Sequence, residues 1–161
     1  MLVKLKPKID IRHAVANDAE AMRRCTEAAY QHYTNRIGKP PAPMLADYSS
    51  VATSCNAFVA EIHGKFVGMI VLSAKADEIF LENVAVFPEH QGQGIGGKLI
   101  QYAEAEARRR GFHLIKLYTN EAMKENLVLY AHFGYVEIDR RSENGYQRVY
   151  MQKNLNNLNT N

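Results

Sequence analysis

The hydrophobic and polar positions of the chain change period several times, and each change marks an element. Alternation in "IDIRHA" (residues 9–14) predicts a short strand. Asn17, with Glu20 three residues on, supplies the capping signal of a helix whose apolar stripe is Ala21, Met22, Cys25, Ala28 and Ala29. Gly38 and three prolines keep "NRIGKPPAPM" (35–44) out of a helix, so it reads as a loop before a short helical stretch around residues 44–54. The period then shortens to that of strands in "AFVAEI", "KFVGMIVLSA" and "EIFLENVAVF". Gly64 of "HGK" suits a hairpin turn between the first two, and Pro88 stops the third.

Beyond Gly92 the spacing is helical, with Ile95, Leu99, Tyr102, Ala103 and Glu106 at threes and fours. Arg108 to Arg110 complement the helix C-terminus and Gly111 supplies its left-handed stop, which explains the arginine run without a binding patch. "FHLIKLYT" is the next strand, and residues 121–133 form a helix with Met123, Leu127, Tyr130 and Ala131 on one face. "GYVEIDRR" and "YQRVYMQK" close the domain as a hairpin around Glu143-Asn144-Gly145. A single domain is expected over residues 1–153, and the polar "NLNNLNTN" (154–161) is expected to be a disordered tail.

Composition narrows the function classes. The net charge of +3 is small and dispersed, with no basic stripe interleaved with aromatics, so no nucleic-acid partner is expected. No apolar run approaches the ~18 to 20 residues of a membrane span, and "MLVKLKPKID" has too short an apolar core for a signal peptide, so the expected location is the cytoplasm. Cys25 and Cys55 read as free, partly buried thiols, and the six histidines lack the spacing of a zinc site, so no metal is expected.

The candidate chemistry lies in "HQGQGIGGKL" (90–99), which admits three overlays. Gly92, Gly97 and Lys98 spell most of a P-loop, but Leu99 stands where a hydroxyl must hold magnesium. Gly92, Gly94 and Gly97 spell a dinucleotide fingerprint. There "FPEH" separates strand from glycines and Glu121 is a late acidic candidate, so an oxidoreductase stays open but poorly placed. Gln91, Gly94 and Gly96 spell Q-x-x-G-x-G. Common to all is a strand, a turn and a glycine-rich helix start, which offer unpaired N–H groups and a positive dipole end to a diphosphate.

"ENVAVFPEHQGQGIGGKL" resembles the acetyl-CoA-binding motif of the GCN5-related N-acetyltransferase (GNAT) superfamily, and "NLVLYAHFGY" resembles its second signature, in the right order and spacing. With the preceding hairpin, the likeness covers roughly residues 55–153, and "IDIRHAVANDAEAM" is loosely similar to the family's first strand and helix. The resemblance implies an α/β domain with a mixed sheet of six to seven strands and about four helices. Its central strands, here ending at Val86 and Thr119, splay to admit pantetheine. It places Val84, Ala85 and Val86 along the pantetheine arm and Gln91, Gly92, Gln93, Gly94, Ile95, Gly96 and Gly97 around the pyrophosphate. Asn126 would contact the arm, and acetyl-CoA is the only cofactor implied. A homodimer is compatible with the family, though the sequence carries no interface signal.

Attack on a thioester needs a neutral amine, although an alkylamine has a pKa near ~10.4, and departure of the CoA thiolate is helped by a proton donor. The resemblance puts Tyr130 at the donor position; the competing reading is a core tyrosine on the helix stripe. Glu82 is the base candidate, facing the same way as Phe80 and Val84 under strict alternation and there desolvated; a water chain on backbone carbonyls is the alternative. In this family the acceptor side falls on residues 28–46, with no acidic side chain but with Tyr30, Tyr33 and Arg36. The expected acceptor is therefore a small neutral, aromatic or carboxylate-bearing amine rather than a polycation. A protein or peptide acceptor, and a CoA-binding module without catalysis, stay open.

Overall fold

The computed structural model describes residues 3–156. Seven strands form one mixed sheet: β1 (Asp10–His13), β2 (Ala57–Ile62), β3 (Lys65–Lys75), β4 (Glu78–Val86), β5 (Leu114–Asn120), β6 (Val136–Glu143) and β7 (Tyr146–Asn154), in spatial order β1-β2-β3-β4-β5-β7-β6. Every neighbouring pair is antiparallel except β4 and β5. Five α-helices cover the sheet: α1 (Ala19–Tyr30), α2 (Tyr33–Ile37), α3 (Tyr48–Ala52), α4 (Ile95–Arg109) and α5 (Lys124–His132). Two cores result. One packs Leu99, Ile100 and Ala103 of α4 and Tyr130 of α5 on the sheet. The other packs Met22 and Cys25 of α1 and Tyr48 of α3 on the opposite face.

Two features of β4 shape the site. Its parallel pairing with β5 covers only Ile79, Phe80 and Leu81, opposite Ile115, Lys116 and Leu117, after which the strands part. At the same point β4 carries a bulge: Val71 of β3 opposes Asn83 while Leu72 opposes Leu81, so Glu82 is the extra residue. The bulge reverses the faces. Ile79 and Leu81 lie in the core beneath α4, whereas Ala85 lies in the core beneath α1. Strict alternation from Phe80 through Glu82 to Val84 therefore fails. Val84 packs on the α4 side, while Glu82 lines a cavity on the α1 side and is exposed rather than desolvated.

Several local expectations shift. Asn17 is not the helix cap, because residues 16–18 form a 3-10 turn and the Asp18 carboxylate accepts the Val15 N–H at 2.7 Å. The α1 stripe gains Thr26 and Tyr30, both buried. A five-residue helix, α2, precedes Gly38, whose left-handed backbone ends it. On α5, Ala131 is exposed and Tyr130 is the buried side chain. Cys25 is fully buried and Cys55 exposed, in the turn before β2, so neither is a partly buried thiol. The expected tail starts too early: Asn154 ends β7, and Leu155 is buried and donates its N–H to the His113 carbonyl; residues 157–161 lie outside the described part.

Gly68 sets how closely β4 and α4 approach. Opposite Val86 in the β3–β4 register, it sits where an added Cβ would lie 2.9 Å from the Ala85 carbonyl oxygen and 3.3 Å from Leu99. The first of those neighbours is backbone and cannot step aside. Gly68→Ala should therefore cost about 1–3 kcal/mol by overpacking, read as a lower urea midpoint at unchanged slope.

Candidate active site

The turn from β4 into α4 is built for exposed backbone donors. Phe87 donates its N–H to Val67, Pro88–His90 make one 3-10 turn, and Gly92 and Gly94 then take φ values of 80° and 81°, which a side chain would disfavour. Gly94 is the helix cap, and no side chain bonds to that end of α4. The first N–H groups of α4 thus remain free, with the positive end of the helix dipole behind them. A Cβ built on Gly92 or Gly94 meets nothing within 4 Å, so this cradle opens on free space. Gly97 answers a different need: its Cβ would strike the Phe133 ring at 2.6 Å.

From the turn, a cleft of about 480 Å³ runs along the parted edge of β4. It gathers Val84, Ala85, Val86, Gln91, Gly92, Gly94, Ile95, Gly96, Gly97 and Asn126; Gln93 does not line it. Because Phe87 bonds to β3, alternation turns the peptide groups of Val84 and Val86 toward the gap. Their carbonyls are already covered: Tyr30 Oη donates to Val84 O at 2.9 Å and Gln91 Nε2 to Val86 O at 3.1 Å. The N–H groups of this edge face the gap, and each carbonyl keeps one lone pair.

A smaller cavity of about 150 Å³ lies on the α1 side, and Tyr30 and Asn126 line both spaces. Asn126 and Tyr130 are one helical turn apart on α5, so their spacing puts both side chains on the face turned toward this junction. Tyr130 is 4 % exposed, lines the small cavity, and is held by burial well above the usual phenol range. The remaining walls come from far apart in sequence: Tyr48, Glu82, Asn83, Tyr118, Tyr146 and Arg148. Arg148 donates to Glu143 at 2.8 Å and lies over the Tyr118 ring at 4.2 Å.

The expected acceptor stretch, residues 28–46, does line the small cavity, through Tyr30, Ile37, Pro41, Ala42, Pro43 and Ala46, but of the three polar side chains singled out there only Tyr30 reaches it. Tyr33 lines the large cleft, and Arg36 lines neither. The cause is Glu125 in the first turn of α5, which accepts from Tyr33 Oη at 3.3 Å and from Arg36 Nη1 at 2.8 Å, tying α2 to α5. Nor does the cavity lack acidity, since β4 supplies Glu82 where the 28–46 stretch has none.

Residues 19–135 match the profile of the Acetyltransferase (GNAT) family. The chain belongs to the GNAT acetyltransferase family. Among curated relatives, this GNAT domain is 31% identical over 86 residues to the uncharacterized N-acetyltransferase YjgM of Escherichia coli, covering 51% of this chain and 52% of that protein. It is 29% identical over 75 residues to the [ribosomal protein bS18]-alanine N-acetyltransferase of Escherichia coli, covering 47% and 51%. These alignments span about half the length of the relatives. Among solved structures, the ribosomal-protein-S18-alanine N-acetyltransferase from Escherichia coli superposes with a TM-score of 0.74 at 20% identity, covering 92% of this chain and 94% of that one. The PaiA N-acetyltransferase from Thermoplasma acidophilum in complex with coenzyme A gives 0.72 at 17% identity, covering 91% and 99%.

The geometry fits a CoA thioester in this GNAT domain on two independent features, an open cradle of backbone donors and a strand edge with free N–H groups facing the cleft. Neither ATP with magnesium nor NADH has a comparable fit, because no hydroxyl follows Lys98 and no strand runs directly into Gly92. In a thermal-shift titration, acetyl-CoA and CoA should stabilise the protein selectively. At ~100 times the dissociation constant the gain is about 2.7 kcal/mol, or several degrees for a domain of this size.

Proposed function

We propose that the domain is an acetyl-CoA-dependent N-acetyltransferase. It moves the acetyl group directly to the primary amine of a small neutral, aromatic or carboxylate-bearing molecule, in the cytoplasm. The observation that carries this reading is the junction: a long cleft with a diphosphate cradle meets a compact cavity at Tyr30 and Asn126, with Tyr130 in the wall. Acetyl-CoA, lying in the long cleft, would supply the activated carbonyl at that point.

The chain's own groups divide the proton work. Tyr130, kept neutral by burial, donates its hydroxyl proton toward the departing sulfur. Desolvation raises the proton affinity of a thiolate in the same place, so the two groups are shifted together and remain matched. Glu82, at the wet rim of the cavity, takes the amine proton directly or through water. The backbone N–H groups of Val84 and Val86 hold the extended arm of the cosubstrate, and the free N–H groups around Gly94 hold its pyrophosphate.

A compact acceptor is favoured by a bridge anchored on Tyr146, one of the cavity's lining residues. Tyr146 Oη donates to Pro40 O at 2.7 Å and Lys39 Nζ to Asn144 O at 2.8 Å, bridging the β6–β7 turn to the loop after α2. An extended peptide would have to break this bridge. The second reading, a protein N-terminus, draws on the likeness to the [ribosomal protein bS18]-alanine N-acetyltransferase and would require the bridge to open.

Tyr130→Phe should lower kcat by about 10²-fold or more while the KM for acetyl-CoA stays within about twofold. A full rate in the variant would assign the donor role elsewhere. Loss of the Tyr130 proton would remove the donor as pH rises, and burial moves that loss above the usual phenol value. The pH profile of kcat should accordingly not fall between about pH 8 and 10.

A further inference from the structure

Asn83 is the second residue of the β4 bulge, and its side chain is left with one end unmatched. It is 6 % exposed and lines the small cavity, yet its Oδ1 is buried without any hydrogen-bond partner. The opposite end is fully engaged: Nδ2 donates to Thr26 Oγ1 and to Tyr48 Oη, both at 3.3 Å. The acceptors around those hydroxyls favour this orientation. Tyr48 Oη has the Pro43 carbonyl at 2.6 Å and Thr26 Oγ1 at 2.9 Å as acceptors for its one proton, and Thr26 Oγ1 has Met69 Sδ at 3.8 Å as its acceptor. Both oxygens therefore turn lone pairs to Nδ2, and Oδ1 is an acceptor-only atom facing no donor. Leaving a buried carbonyl unmatched is costly, and a binding cavity is where such a cost is tolerated, because a ligand relieves it.

We propose that Asn83 Oδ1 receives an N–H of the acceptor amine and makes this site selective for primary amines. The proposal rests on the acetyltransferase reading above and identifies the group that holds the nucleophile. A neutral primary amine has two N–H bonds. One is lost when the C–N bond forms and the C–S bond breaks, its proton leaving toward Glu82 or water while the sulfur is protonated by Tyr130. The other persists into the amide product and is the one Asn83 holds throughout. A carboxamide oxygen cannot take up the proton at neutral pH, so it orients without competing as the base. The bulge explains how one strand supplies both functions, because it puts consecutive residues, Glu82 at the rim and Asn83 in the wall, on the same cavity. The body of the amine then lies against Ile37, Pro43, Val51 and Tyr118, which suits an aromatic or apolar group.

The test compares primary amines with their N-methyl congeners, beginning with 2-phenylethylamine and N-methyl-2-phenylethylamine, by following release of CoA thiol. The wild type should prefer the primary amine in kcat/KM by about tenfold or more. Asn83→Leu, of similar volume but without an acceptor, should erase that preference with the KM for acetyl-CoA unchanged. Asn83→Asp, which keeps an oxygen there, should retain it. An unaltered preference in a folded Asn83→Leu enzyme overturns the proposal. If that variant does not fold, the wild type still decides: in protein with ¹³C-labelled asparagine, the Cγ resonance absent from Asn83→Asp should move downfield on adding the acetylated primary amine, and a stationary resonance overturns the proposal. Wild-type protein that binds acetyl-CoA yet transfers to no primary amine defeats the acetyltransferase reading itself, a result distinct from either outcome above.

Discussion

Everything about the site depends on β4 and β5 ceasing to pair after Leu81 and Leu117. Inside a sheet, separating two strands strands their peptide groups, and each unmatched group costs about as much as a lost hydrogen bond. The molecule settles this cost unevenly. Tyr30 and Gln91 cover the carbonyls of Val84 and Val86, while the N–H groups on the same edge stay available. An edge prepared this way presents its N–H groups to carbonyls of a ligand, while each of its own carbonyls already holds one hydrogen bond. Tyr30 can reach Val84 only because α1 runs its full length beneath the sheet, which makes the first helix part of the site even though its apolar stripe reads simply as core.

The same separation creates the second cavity and fills its walls with tyrosine. Tyr30, Tyr48, Tyr118, Tyr130 and Tyr146 all line it, and each couples a large apolar ring to one polar atom. Three of those hydroxyls already have carbonyl partners: Tyr30 on Val84, Tyr48 on Pro43 and Tyr146 on Pro40. These bonds fix the rings and brace the loops. Tyr130 differs in being buried at the junction with no such carbonyl holding its proton among the described residues, which is what the proposed donor role requires of it.

How much of this could be read from the sequence follows from the range of the interactions involved. Strands β2 to β4, helix α4 with its Gly111 stop, and the Asn144-Gly145 hairpin are fixed by periodicity and turn chemistry within a few residues, and all appear where the pattern puts them. The glycine cradle was legible for the same reason. The bulge was not, because its cause is a register mismatch with β3, and one extra residue sufficed to turn Val84 away from Glu82. The acceptor wall was misread through Arg36 and Tyr33, whose partner Glu125 lies about ninety residues on in sequence. Arg148, Tyr118 and Asn83 come from strands whose local patterns mark them only as strand residues. No short-range signal distinguishes a side chain that lines a cavity from one that faces solvent.

Under the proposed mechanism, the position of Glu82 at the rim, rather than in the wall, bears on how a small site would handle protons. A carboxylate placed beside Asn83 in the buried wall would be costly to keep charged, and neutral it would no longer accept the amine's proton. At the rim it keeps contact with solvent, so a proton taken up there in that mechanism would leave without crossing the closed part of the cavity. The buried wall is left to neutral groups, the Asn83 amide and the Tyr130 phenol, which in the proposed mechanism would orient and donate at little desolvation cost. Burial thus sorts the groups by role. The carboxyl group sits where water reaches it, and the neutral ones sit where exclusion of water strengthens each hydrogen bond they make. A single bulge residue is enough to impose that order, because it turns two adjacent side chains of one strand to the same side at different depths.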